Sequence, residues 1–87
     1  MATLILEYST PIETADGQQF VVRAYGEERR DGTWIGWLEF VSVNGSGTTL
    51  RTDRETTQPN RTTLDYWASG LEPVYLEGAF ARAQITA

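Results

Sequence analysis

The dipeptide Asp31-Gly32 constrains the fold more than any other part of the sequence. It separates two segments, 18–28 and 33–43, that are rich in β-branched and aromatic residues. Two residues of this type between such segments are the strongest short-range signal for a β-hairpin. We therefore predict a long central hairpin with a two-residue turn, in which Arg30 lies opposite Thr33.

This register predicts a sheet that is apolar on both faces. One face carries Phe20, Val22, Ala24, Ile35, Trp37, Val41 and Val43, and the other carries Val21, Arg23, Tyr25, Trp34, Leu38 and Phe40. An antiparallel sheet with one solvated face normally alternates apolar with polar residues. One short helix can cover one of these faces, so the other needs a second explanation.

Two explanations are open for the second face. In the first, the sheet curls into a small barrel or folds over itself, and the arm from Tyr8 to Gln19 covers the second face. In the second, the face is an interface with a second copy of the chain or with another protein, since aromatic residues and Arg are favoured at the centre of interfaces. In that case a two-fold homodimer is the simplest assembly, and its predicted interface residues are Arg23, Tyr25, Trp34, Leu38 and Phe40.

The remaining elements complete an α+β pattern. Strands are predicted over 3–8 and, as a polar edge strand, over 48–57. A helix follows, because Leu64, Trp67, Ala68 and Leu71 are spaced for one helical face, with Asn60 as its cap and Gly70 at its end.

The segment 74–83 alternates like a strand, although Pro73 at a possible first helical position leaves a second helix open. We predict a single domain, 1–87. It is an antiparallel β-meander of about five strands, with one short helix before the last strand.

Composition excludes several classes of chemistry. The chain has no Cys and no His, so disulfides, zinc fingers, haem ligation through His and Ser-His-Asp catalysis are ruled out.

The net charge of −5 disfavours nucleic acid as a partner. No apolar run is long enough to span a membrane and the start does not resemble a signal peptide, so a cytoplasmic location is expected. We expect no catalytic residues, cofactor or metal.

A second candidate site lies before the helix, where three of the seven arginines fall within residues 51–61. A helix N-terminus favours anions, and Arg forks suit phosphate or carboxylate. The candidate ligand-binding residues are Arg51, Arg54, Arg61, Thr62 and Thr63. In the alternative interpretation, Asp53 and Glu55 neutralise these arginines and Asn60 merely caps the helix. Arg54 could also be used in a cation–π contact with Trp37.

The C-terminal third, in the stretches 54–61 and 66–79, resembles small bacterial proteins of unknown function. The resemblance rests on Arg54-Glu55-Thr56-Thr57-Gln58-Pro59-Asn60-Arg61 and on Tyr66-Trp67-Ala68-Ser69-Gly70-Leu71-Glu72-Pro73-Val74-Tyr75-Leu76-Glu77-Gly78-Ala79. It implies a bacterial or phage source and a cytoplasmic protein, but no activity or ligand.

The sequence thus predicts a small non-enzymatic protein-interaction module, homodimeric through an aromatic sheet face. One alternative is an anion-binding domain that uses the Arg-rich segment. Another is an acidic inhibitor or decoy that occupies a basic site on a larger protein.

Overall fold

The computed structural model describes residues 1–44 and 47–85, and it has the predicted α+β character. An antiparallel sheet packs against two helices that lie on the same side of it. In chain order the elements are β1 (Thr3–Glu7), β2 (Ile12–Glu13), β3 (Gln19–Glu28), β4 (Trp34–Ser42), β5 (Thr49–Arg51), β6 (Thr56–Gln58), α1 (Arg61–Ser69), α2 (Pro73–Arg82) and β7 (Gln84–Ile85).

The sheet is organised around the hairpin of β3 and β4. β1 and β2 lie end to end along the outer edge of β3, and β5 and β6 lie end to end along the outer edge of β4. The short β7 pairs with β5. The predicted polar edge strand is therefore present but divided, with residues 52–55 between its two parts.

The arm from Tyr8 to Gln19 does not cover the second face of the sheet. Its ends continue the edge beside β3: the Tyr8 amide donates to the Val22 carbonyl, and Ile12 pairs with Phe20. The Tyr8 side chain points to the helices, where its hydroxyl donates to the Ala68 carbonyl at 2.6 Å. This arm therefore does not act as the predicted cover of the second face.

The turn of the central hairpin has three residues, not two. The Arg29 amide donates to the Thr33 carbonyl, and the loop Arg30-Asp31-Gly32 lies between them. Gly32 has φ +86°, a left-handed conformation that favours glycine, as expected in a three-residue hairpin loop. The Asp31 carboxylate accepts bonds from the Thr33 hydroxyl and amide, which lowers the pKa of Asp31. The predicted pairing of Arg30 with Thr33 was therefore wrong by one residue.

A shift of one residue moves every side chain of one strand to the opposite face. In the structure Val22 pairs with Phe40 and Ala24 with Leu38, so these residues share the face that the helices cover. Trp37 shares the other face with Tyr25. The predicted composition of both faces was therefore wrong for β4.

The segment 74–83, predicted as a strand, is helix α2. Pro73 occupies its first turn, where a missing amide hydrogen costs nothing. Leu76, Ala79 and Phe80 then face the sheet, at helical spacing. The Phe80 ring lies between two core rings, with centroids 5.1 Å from Phe20 and 5.2 Å from Phe40. Packing against these rings decides the outcome, since the local sequence allowed either structure.

Glu55 fastens α2 to the segment between β5 and β6. Its carboxylate oxygen Oε1 accepts from the Tyr75 hydroxyl at 2.5 Å and from Arg82 Nη2 at 2.6 Å. The Glu55 side chain is only 9 % exposed, so this ion pair is shielded on one side. These contacts hold both ends of α2 to the strand side of the molecule.

Helix α1 packs into a notch formed by two glycines. As predicted, Asn60 caps the helix by accepting from the Thr63 amide at 2.9 Å. Leu64 then lies over Gly26 and Gly36, which pair directly opposite each other on β3 and β4. A Cβ on Gly36 would lie 2.8 Å from Leu64 Cδ1, too close for an unstrained contact. The absence of side chains here is what lets α1 approach the sheet.

We expect Gly36→Ala to lower the free energy of unfolding by about 1–3 kcal/mol, because the added methyl overpacks the notch. The measurement is urea unfolding followed by circular dichroism. Gly78→Ala is the matched control, since its added Cβ would meet only Arg82 Nη1, at 3.7 Å. In a helix this control should be neutral or stabilising. Equal stability of Gly36→Ala and the parent chain would contradict the notch.

Tyr8 gives the fold a defined sensitivity to alkaline pH. Burial, with a smaller contribution from nearby Tyr75, raises the pKa of Tyr8 to about 12. The folded pKa lies above the unfolded value of about 10. This contribution to stability is therefore complete below pH ~10 and is lost as pH rises towards ~12.

Tyr8→Phe should reduce the free energy of unfolding by about 1 kcal/mol at neutral pH through loss of the bond to Ala68. It should also flatten the decline of stability between pH ~10 and ~12. Tyr66→Phe, at an exposed tyrosine, is the control. The same alkaline slope in Tyr8→Phe and the parent chain would show that Tyr8 is not the titrating group.

Candidate interaction surface

The face of the sheet opposite the helices is the candidate surface, and we call it the open face. It is formed by alternate residues of the central hairpin. Apart from Trp37, which is buried, these residues are half-buried, whereas most of their neighbours along the strands are buried. Its central members are Val21, Arg23, Tyr25 and Glu27 from β3 and Ile35, Trp37, Glu39 and Val41 from β4, flanked by Leu4, Glu7, Thr49, Arg51 and Thr57.

Trp37 is the centre of the open face and is covered by side chains of its own chain. It is 3 % exposed although it lies on the side away from the helices. Tyr25 stacks beside it with ring centroids 6.3 Å apart, and the Arg51 guanidinium lies 4.2 Å from its ring centroid. The Trp37 indole Nε1 donates to Glu39 Oε2 at 3.0 Å. An aromatic ring, a cation and a carboxylate thus fix the position of the indole.

A row of alternating charges crosses four strands next to this stack. In register, Glu7 on β1 lies opposite Arg23 on β3, Arg23 opposite Glu39 on β4, and Glu39 opposite Arg51 on β5. We call these four residues the charge ladder. Arg23 Nε is 2.8 Å from Glu7 Oε1, and this hydrogen bond raises the pKa of Arg23.

Apolar residues lie on both sides of the charge ladder. Val21 and Val41 pair on one side, and Leu4, Tyr25 and Trp37 form the row on the other. Leu4 is 48 % exposed, and Val43, beyond the valine pair, is 52 % exposed. The open face is therefore a polar row between two apolar rows, not the continuous aromatic surface that the sequence predicted.

The structure divides the predicted interface residues between the two faces. Arg23 and Tyr25 lie on the open face. Leu38 and Phe40 are fully buried in the core beneath the helices, and Trp34 lies on that same side. These three cannot line a surface together with Arg23 and Tyr25, because the three-residue turn places them across the sheet. The sequence missed Trp37 and Glu39 as partners for the same reason. Glu7 and Arg51 join this face through the pairing of β1 with β3 and of β5 with β4.

The predicted ligand-binding residues are not brought into one pocket. Arg51 covers Trp37 on the open face, whereas Arg61, Thr62 and Thr63 begin α1 on the other side of the sheet. Arg61 pairs with Asp65 and lies 5.6 Å from the Trp34 ring centroid. The Thr63 amide is already bonded to the cap residue Asn60. The Asn60 cap agrees with the alternative interpretation, but the ion pairs differ from it, because Arg61 pairs with Asp65 and Glu55 pairs with Arg82.

Arg54 is exposed in the segment between β5 and β6. The cation over Trp37 is Arg51, so the contact predicted for Arg54 is made by the arginine three residues earlier. The reason is the register of β5, in which Arg51 lies opposite Glu39 and therefore on the same face as Trp37. Thr52 bonds Leu38 and Thr56 pairs with Gly36, so three residues, 53–55, lie opposite Trp37 in place of one.

A groove lies between β1 and α1 on the other side of the sheet. A β-bulge between Leu4 and Leu6 inserts Ile5 as an extra residue, so Ile5 and Leu6 both line the groove. The volume is about 430 Å³, and Thr62, Asp65, Tyr66 and Ser69 of α1 form the opposite wall. Within the described parts of the chain, no group of three acidic residues is placed to hold a metal ion.

Comparison of the chain with protein-family models, with curated proteins and with solved structures finds no match. The resemblance of 54–61 and 66–79 to small bacterial proteins stays a prediction. Across residues 1–44 and 47–85, no helix has the length and apolar character needed to cross a bilayer.

We expect Arg51→Ala to uncover Trp37, with a red shift of tryptophan emission and stronger quenching by acrylamide, because the guanidinium shields one side of the indole. Arg54→Ala is the matched control and should change neither. Equal spectra for the two variants, or a larger change in Arg54→Ala, would contradict the placement of Arg51 over Trp37.

Proposed function

We propose that this chain is a small non-enzymatic protein-interaction module that self-associates through the open face. The observation that supports it best is the stack of Tyr25, Trp37 and Arg51 at the centre of a face that neither helix covers. Trp, Tyr and Arg are the residue types that most often dominate binding energy at protein interfaces. They stand here together and already ordered by contacts within the chain, so little side-chain entropy is lost on association.

Apolar rows beside the stack supply a hydrophobic contribution. Val21, Val41 and Ile35 are half-buried in the single chain and project from the open face. Burial of the remaining apolar surface contributes roughly 25 cal/mol per Å². A face with apolar side chains on both sides of an ordered aromatic pair is therefore suited to packing against another sheet.

The edge of the sheet at β1 is less suited to this role. β1 has no strand on its outer side among residues 1–44 and 47–85. It carries a β-bulge between Leu4 and Leu6, a charge at Glu7, and Pro11 soon after it. Bulges, charges and proline are the features that prevent edge-to-edge pairing of sheets. Association through the face is thus favoured over extension of the sheet.

The size of the open face indicates a modest affinity. β3 and β4 have ten and nine residues, and five strands lie side by side. At ~3.3 Å per residue and ~4.8 Å between strands, the footprint is on the order of 600 Å² per chain. A dimer of that size falls near the lower limit of stable interfaces, so we expect dissociation in the micromolar range.

Tyr25→Ala should weaken self-association at least about tenfold, because it removes half of the aromatic stack at the centre of the face. The measurement is sedimentation velocity from about 1 μM to about 1 mM, a range chosen for a small interface. Tyr66→Ala removes an exposed tyrosine from α1 on the other side of the sheet and is the matched control.

Circular dichroism should show both variants folded. A parent chain that is monomeric throughout the concentration range contradicts the proposal. So does a loss of association in Tyr66→Ala that matches the loss in Tyr25→Ala.

A further inference from the structure

We infer that the charge ladder sets the geometry of the self-associated form: two copies stack open face to open face, with their two-fold axis parallel to the strands. This inference rests on the self-association proposed above and specifies the partner surface. The ladder runs Glu7, Arg23, Glu39, Arg51 across β1, β3, β4 and β5, so its charges alternate negative, positive, negative, positive. When the row of one copy is turned end to end and laid on the row of a second copy, each charge faces an opposite charge.

A two-fold axis parallel to the strands, between β3 and β4, performs this reversal. It places β1 over the partner's β5 and β3 over the partner's β4. Glu7 then faces the partner's Arg51, and Arg23 faces the partner's Glu39. Each contact occurs twice, as in any two-fold interface. All eight ladder charges of the dimer meet an opposite charge.

The neighbouring rows are compatible with the same axis. Val21 faces the partner's Val41, so apolar residues meet there. Tyr25 faces the partner's Trp37 across the Arg51 guanidinium that covers that indole. Packed sheets are rotated by about 30° relative to each other. Glu7 and Arg51 lie about 7 Å from the axis, so the rotation displaces them by about 4 Å, within reach of an arginine side chain.

Other arrangements bring the wrong charges together. An axis perpendicular to the strands stacks each strand on its own copy, so that Glu7 meets the partner's Glu7 and Arg51 meets the partner's Arg51. Like charges in contact across an interface cost several kcal/mol. If that axis is displaced so that the ladder faces either neighbouring row, that row is uncharged and the ladder charges lose water without gaining partners.

The test is a charge swap at the two ends of the ladder. Glu7 and Arg51 are separated by two strands, about 14 Å, so they do not contact each other within one chain. Glu7→Arg and Arg51→Glu each place like charges opposite one another in the dimer, and each should weaken association at least about tenfold. The double variant restores opposite charges between the copies and should associate at least about tenfold more tightly than either single variant, although it lacks the Arg51 cover of Trp37.

Restored association in the double variant cannot come from contacts inside the chain. There, the cation introduced at position 7 still repels Arg23, and the carboxylate introduced at position 51 still lies beside Glu39. An equimolar mixture of the two single variants should also associate more tightly than either alone. Glu7→Gln removes an attraction without adding a repulsion, so it should weaken association less than Glu7→Arg. It also keeps the test valid if Glu7→Arg fails to fold.

The outcomes separate this inference from the proposed function. Weak single variants, a restored double variant and a tighter mixture support the geometry. A parent chain that associates, with a double variant as weak as the single ones, overturns the geometry and leaves the interaction module standing. A parent chain that stays monomeric overturns both. Circular dichroism of each variant verifies that the exposed substitutions leave the fold intact.

Discussion

The pairing of β3 with β4 determines the rest of this structure, and the turn at Arg29–Thr33 sets that pairing. Gly32 takes a left-handed conformation that lets three residues close the loop, and Asp31 fixes the turn by accepting two bonds from Thr33. Side chains alternate with a period of two, so this loop length decides which residues of β4 face the helices. A two-residue loop would have placed Trp37 in the core and Phe40 outside.

The covered face is built from complementary shapes. Two facing glycines make room for Leu64 of α1, and two aromatic residues of the sheet, Phe20 and Phe40, receive Phe80 of α2. Both helices are short, and helices of this length depend on packing for their stability. The sheet therefore organises the helices, through the residues that the turn directs to that side.

The open face has a different character, because polar and aromatic side chains there satisfy one another. Arg51 and Tyr25 cover Trp37, Glu39 accepts its indole hydrogen, and Glu7 pairs with Arg23. Such contacts keep the side chains ordered in the single chain. They also present an alternating pattern of charges between apolar rows. In the proposed dimer this pattern sets the relative orientation of the two copies.

The sequence alone determined the α+β class, the central hairpin, the capped helix at Asn60 and the exclusion of His- and Cys-based chemistry, because these follow from composition and local periodicity. The tertiary structure decided three further points. It made 74–83 a helix, because Phe80 and Leu76 find partners on the sheet that no local pattern reveals. It separated Arg51 from Arg61, since a chain that crosses a sheet edge places neighbouring residues on opposite sides. It assigned Trp37, and not Phe40, to the open face, because one residue in a turn inverts a strand and Asp-Gly is compatible with loops of either length.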